Sequence, residues 1–217
     1  PYILLYYHHM TRHHFSLKES FTYGWSKTKQ HYWFIALTFL VYALILSAAS
    51  RIPLLNTVTA LMVGLSVVSI TLLITRNHSF TFADLFTPLL SPKRVLKFFA
   101  LAVLYIIPVA FLTVVLFAPG LAKWGALFVA IPSVYLIIRF KFFPYIVLEH
   151  EDASIKELIL MSLRLTNNHF WALFLFLFSL AMFNTLGALT VIGLLVTIPV
   201  SVFATAHVYD KLKEHSF

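Results

Sequence analysis

The sequence predicts an all-α, polytopic membrane protein: six transmembrane helices in three parallel two-span repeats, each preceded by a cytoplasmic interfacial amphipathic helix. Three observations carry this expectation. Of 217 residues, 60% are hydrophobic and only 11% are charged, whereas a soluble domain carries about 25% charged residues. Six apolar stretches approach the roughly 20 residues that a spanning helix needs. And the stretch SLKESFTYGWSKTKQHYW at 16–33 returns 138 positions later as SIKELILMSLRLTNNHFW at 154–171, with Ser, Lys, Glu, Thr, His and Trp at coincident places.

The spans fall in close pairs: 32–50 with 54–75, 95–117 with 124–140, and 170–186 with 189–209. RIPLLN, APGLAK and the segment around NTLG link the members of each pair, with Pro53, Pro119, Gly120 and Gly187 as turn residues. Fourteen of the 16 Lys and Arg then share one side, and only Arg51 and Lys123 fall on the other. The positive-inside rule makes the basic side cytoplasmic and puts both termini there. Trp33 and Trp171 stand near the starts of spans, at the depth of an interfacial aromatic belt. No cleavable signal peptide is expected from the first residues, which lack a basic region followed by an apolar run. The expectation is one membrane domain over 1–217, with repeat units at about 15–76, 80–141 and 153–210.

Each unit opens on a helix-start signature. Ser16 with Glu19, and Ser154 with Glu157, have the form of a capping box, in which two side chains satisfy two backbone N–H groups left over at a helix end. Thr81 with Asp84 is a third version. Behind each cap, apolar residues recur at helical spacing: Leu17, Phe21, Trp25 and Thr28; Phe82, Leu85, Phe86 and Leu89; and Ile155, Leu158, Ile159 and Leu165. Lys18, Lys29, Lys156 and Arg164 point elsewhere, which suits helices lying in a membrane interface. The returning spans also echo one another as VGLSVVS, VAIPSVY and VTIPVSV, with Pro132 and Pro199 at matching places.

The third unit, from Arg139 through FPYIVLEHEDASIKELILMSLRLTNNHFWALF to LGALTVIGLLVTIPVSVFATAHVYDKL, resembles a group of six-span bacterial inner-membrane proteins. That group includes the membrane domain fused to some glycerophosphodiester phosphodiesterases and stand-alone proteins of unknown function. The first two units match mainly by layout. The resemblance implies an architecture and an inner-membrane location, and no activity, because no phosphodiesterase domain is present.

Candidate chemistry is sparse. Of eight acidic residues, Glu19, Asp84 and Glu157 are absorbed by the caps, Glu149, Glu151 and Asp152 read as a solvated loop, and Asp210 and Glu214 belong to a mixed-charge tail. No acid falls inside a span, where a proton-coupled transporter or an intramembrane hydrolase would carry one. His207 is expected to bond a backbone carbonyl. Metal sites from Glu149, His150 and Asp152, or from His9 and His13 among the paired His8, His9, His13 and His14, lack a ligand spacing with a mechanism behind it. With no cysteine there are no disulfides or thiolate ligands. Cofactors and catalytic residues are expected to be none.

Arg139 and Lys141 interrupt the end of the fourth span. Together with Lys156 and Arg164 they could form a basic pocket for an anionic lipid head group; snorkelling of long side chains is the plainer alternative. The expected function is non-catalytic: lipid binding, scaffolding or partner binding at the cytoplasmic face, with membrane lipid as partner and no nucleic acid. A protein partner or a homo-oligomer is compatible with the sequence. The rivals are a small-solute or lipid transporter built from three repeats and an enzyme of lipid metabolism. The first lacks the Pro-x-acid signature of mitochondrial carriers, and the second lacks a clustered Asp motif, a nucleophile elbow or a phosphate-cradling loop.

Overall fold

A computed structural model describes residues 15–117 and 122–216, and the fold is helical throughout these residues. The paired histidines at 8–9 and 13–14 and the 118–121 turn lie outside the described residues. The helices are α1 (Leu17–Gln30), α2 (Tyr32–Ala49), α3 (Pro53–Thr75), α4 (Pro92–Phe117), α5 (Ala122–Arg139), α6 (Phe143–Glu149), α7 (Ile155–Thr166), α8 (Phe170–Ala188) and α9 (Val191–Ser216). Helices are the natural state of such a chain, because each backbone polar group must find its partner within the segment when no water is at hand. Among the described residues, six stretches are long and apolar enough to cross a membrane, as expected of a multi-pass membrane protein.

α2 with α3, α4 with α5, and α8 with α9 pack as hairpins. Cross-contacts place the free ends of all three hairpins together. Arg76, after α3, meets Asp210 on α9; Ser91 and Arg94, at the start of α4, meet Glu151; Arg139, ending α5, meets Asn167 just before α8. This end of the bundle gathers most of the charged side chains. Large apolar residues such as Leu44, Phe178 and Ile131 remain exposed along the flanks, as they would be toward lipid. Trp33 and Trp171 are 83% and 74% exposed, each one residue into its helix.

The main core lies toward the charged end. α6 is seated there like a plug: Phe143, Tyr145, Ile146 and Val147 are all buried, against neighbours that include Phe98, Leu158, Leu165 and Tyr209. A second cluster of Ile35, Tyr42, Ile70, Ile74, Leu85 and Phe203 joins α2, α3 and α9.

Four local expectations change. First, 80–91 holds two 3-10 turns, Phe82–Leu85 and Thr87–Leu89, and no α-helix. Pro88 is the reason: it lacks the N–H and its ring would clash with the carbonyl four residues back. Second, α1 buries Ser20, Gly24, Lys27 and Thr28, while Trp25 is 44% exposed. Leu17, Phe21 and Thr28 of the expected stripe do pack inward, but Trp25 does not, and Gly24 instead lets α1 approach the backbone of α9. A Cβ there would stand 2.4 Å from the Val200 carbonyl oxygen. Third, Gly187 lies inside α8 rather than in a turn, with Thr197 of α9 pressed against it. Fourth, Ile155 sits on the exposed side of α7, whose inward residues are Leu158, Ser162, Leu165 and Thr166.

Candidate functional site

The helix starts behave differently from one another. At α7, the Ser154 N–H donates to Glu157 (2.6 Å) and the Glu157 N–H donates to the Ser154 hydroxyl (3.3 Å), so the box closes. At the first 3-10 turn, both the Thr81 N–H (2.6 Å) and the Thr81 hydroxyl (2.9 Å) donate to the Asp84 carboxylate. Ser16 occupies the N-cap position of α1, yet its side chain makes no capping bond. Glu19 instead lies 3.5 Å from the His207 Nε2, and the His207 ring stacks on Tyr23 at 4.3 Å. The expected carbonyl partner of His207 is replaced by a side-chain cluster.

Three polar knots fasten the charged end. In the first, the Arg76 Nη2 reaches Glu149 Oε1 (2.5 Å) and Asp210 Oδ1 (2.6 Å), and its Nε reaches Asp210 Oδ2 (3.4 Å). The other oxygen of Glu149 accepts from the Tyr209 hydroxyl (2.5 Å) and from Lys213 (2.8 Å). Two cations and two anions thus join α3, α6 and α9 as a neutral set. Burial opposes the charge on Arg76, but hydrogen bonds to Asp210 and then Glu149 outweigh it and hold the guanidinium above its ordinary pKa. In the second knot, Glu151 accepts from the Ser91 hydroxyl and from Arg94 (2.5 Å), while Lys97 donates to the backbone carbonyls of Glu151 (2.5 Å) and Ala153 (2.7 Å). Ser91 foremost, with Arg94, holds the Glu151 carboxyl below its ordinary value. Glu149 and Glu151 are therefore fastening groups and not a solvated loop, and Asp210 is more than a residue of a charged tail.

Arg139 forms the third knot. It is 9% exposed and its guanidinium donates to the Leu163 carbonyl (3.2 Å), the Thr166 hydroxyl (3.3 Å) and the Asn167 side-chain oxygen (3.2 Å). It also lies 5.0 Å over the Tyr135 ring. In return, the buried Ser162 hydroxyl donates to the Arg139 carbonyl at 2.6 Å. Cations favour the carbonyl end of a helix, so Arg139 fixes the last turn of α7 to the end of α5. The other three candidate cations are differently placed. Lys156 and Arg164 are exposed on α7, Lys141 is half-buried in the turn between α5 and α6, and none of the three has an ion pair or hydrogen bond with the described residues.

Lys141 borders a cavity of about 460 Å³ among α3, α4, α5, α6, α8 and α9. Most of its wall is apolar, including Val68, Leu177, Leu180 and Ile198. Deeper in, Asn184 and Ser201 satisfy one another: the amide donates at 3.0 Å and the hydroxyl at 3.2 Å. The sequence puts Asn184 in the NTLG link between the last two spans, whereas it stands inside α8 and pairs with Ser201 of α9. Tyr145 and Tyr105, also on the wall, carried no signal in the sequence. Among the described residues, no group of three His, Asp or Glu could hold a metal ion.

Compared with known proteins, the chain matches no family model, no curated protein and no solved structure.

Proposed function

We propose that the chain is a non-catalytic membrane protein that binds anionic lipid at the charged end of its helical bundle. The observation supporting this is the division of labour among the four candidate cations. Arg139 is consumed in docking α7, and that docking holds Lys156 and Arg164 out from the bundle with their charges unspent. Basic groups near an anionic leaflet contribute about 1 kcal/mol each, and more specifically when they are held than when they hang on a tail. α7 then acts as an interfacial amphipathic helix, α1 and the 82–89 turns are its counterparts, and the three hairpins form parallel repeats. The resemblance to six-span bacterial inner-membrane proteins fits the same proposal.

The test is retention of phosphatidylglycerol by the full chain, read by native mass spectrometry after gentle detergent extraction. Lys156→Gln with Arg164→Gln is expected to cut retention about tenfold. Arg139→Lys should cut it several-fold at unchanged charge, because a single ammonium cannot span three acceptors as a guanidinium does. Parent-level retention in both variants would sink the reading.

The charged end is assigned to the cytoplasm, on the excess of Lys and Arg there. The chain has no native cysteine, so single cysteines report cleanly. Asn56→Cys should label from outside intact cells and Ser91→Cys should not; the reverse pattern would invert the orientation.

A further inference from the structure

We infer that the cavity beside Lys141 is a binding site for a single-chain anionic amphiphile, an acyl chain carrying a carboxylate or a phosphate. This deepens the lipid-binding proposal by assigning a second, intramembrane place to a ligand of different shape. The starting point is which polar groups on the wall remain unspent. Asn184 and Ser201 hold each other, and the Thr205 hydroxyl donates to the Ser201 carbonyl at 2.7 Å. Lys141, Tyr105 and Tyr145 also line the space, and none of the three has a hydrogen-bond partner among the described residues. Tyr145 is only 4% exposed. Its hydroxyl is not among the buried polar atoms that lack a partner, so it opens onto the cavity, where an anionic oxygen can pair it.

The unspent groups share one chemistry. An ammonium offers three N–H donors and each phenol offers one O–H, and the cavity wall carries no carboxylate to compete for them. Such a set suits an anionic oxygen cluster. The rest of the wall suits a chain. The lining residues on α8 run from Leu177 to Asn184 and those on α9 from Ile198 to Thr205. Seven residues of helix rise about 10 Å, so the space is elongated along the spans, with Lys141 toward the charged end. A volume of about 460 Å³ lies in the lower half of the roughly 300–1,000 Å³ range of ligand sites. It accommodates a head group and part of one chain. The head group sits at Lys141, Tyr105 and Tyr145, and the chain follows Leu177, Leu180 and Ile198 inward.

The test uses delipidated full-length protein in non-ionic detergent, titrated with palmitate, palmitoyl lysophosphatidylglycerol, hexadecanol and inorganic phosphate, with occupancy read by native mass spectrometry. At least one of the two anionic amphiphiles is expected to bind at one per chain, about tenfold more tightly than hexadecanol, and the tighter of the two identifies the head group. Lys141→Gln should remove that tenfold preference, the scale of one charge-assisted hydrogen bond, and Lys141→Arg should keep it. Tyr145→Phe should weaken the anionic amphiphile several-fold. Ala181→Trp, which fills the cavity from its wall, should abolish binding, while Lys156→Gln with Arg164→Gln should leave it unchanged. Hexadecanol binding as tightly as the anionic amphiphiles, or parent-level binding by Ala181→Trp, would overturn the inference. So would inorganic phosphate binding as tightly as the lysophospholipid. Loss of phosphatidylglycerol retention in the Lys156 and Arg164 variant tests the surface reading separately.

Discussion

The two similar stretches of sequence that form α1 and α7 bury corresponding positions against different neighbours. Ser20, Gly24 and Thr28 correspond to Leu158, Ser162 and Thr166, and all six are buried. Thr28 and Thr166 even make the same bond, each hydroxyl donating to the carbonyl four residues back at 2.8 and 2.9 Å. What the central residue touches is different. Gly24 meets the backbone of α9 at Val200 and Ala204, whereas Ser162 reaches a single carbonyl, that of Arg139. The cap differs too: Glu157 closes on Ser154, but Glu19 is drawn toward His207. A shared period fixes which side of the helix is covered. The covering partner decides whether that side needs no side chain at all or a hydroxyl.

That contrast can be broken at its centre. Gly24→Ala would push a methyl to within 2.4 Å of the Val200 oxygen, a backbone atom that cannot turn aside. The expected loss is about 2 kcal/mol, within the usual range for overpacking, read as a lower unfolding midpoint in a fixed detergent. Gly64→Ala is the control. A Cβ there meets nothing within 4 Å, so the substitution should be neutral or stabilise by under about 1 kcal/mol through helix propensity. Equal midpoints for Gly24→Ala and the parent would mean that α1 is not seated on α9.

The caps give a smaller and sharper test. Ser154→Ala should cost about 1 kcal/mol, the scale of a lost N-cap. Ser16→Ala, at the matching place, should stay within about 0.5 kcal/mol, as for an ordinary surface change. A loss at Ser16 equal to that at Ser154 would show that both boxes close and erase the difference.

Parts of the candidate site were legible in advance for definable reasons. Arg139 and Lys141 stood out because charge is costly at the end of an apolar run. Their roles did not stand out. Two residues apart in sequence, one turns into the carbonyl end of α7 and the other borders a cavity, and only the placement of α7 separates them. Glu149 and Asp210 looked like solvated acids because each is flanked by polar residues. Their partner Arg76 comes from α3, far away in sequence. The tyrosines of the cavity were invisible for the opposite reason, since an aromatic among 35 others announces nothing.

Composition and spacing by themselves determined that the chain forms six apolar helices, where the helices pair, and that its charges gather at one end. These follow from backbone hydrogen bonding and the cost of moving charge into an apolar medium, and both act on local stretches of sequence. Tertiary structure alone decided that Gly24 rather than Trp25 faces the bundle and that α6 plugs the charged end. It alone decided which cations are spent. Each of those outcomes depends on what stands within a few ångströms from a distant part of the chain, and a sequence pattern carries the period of a helix without naming its neighbour.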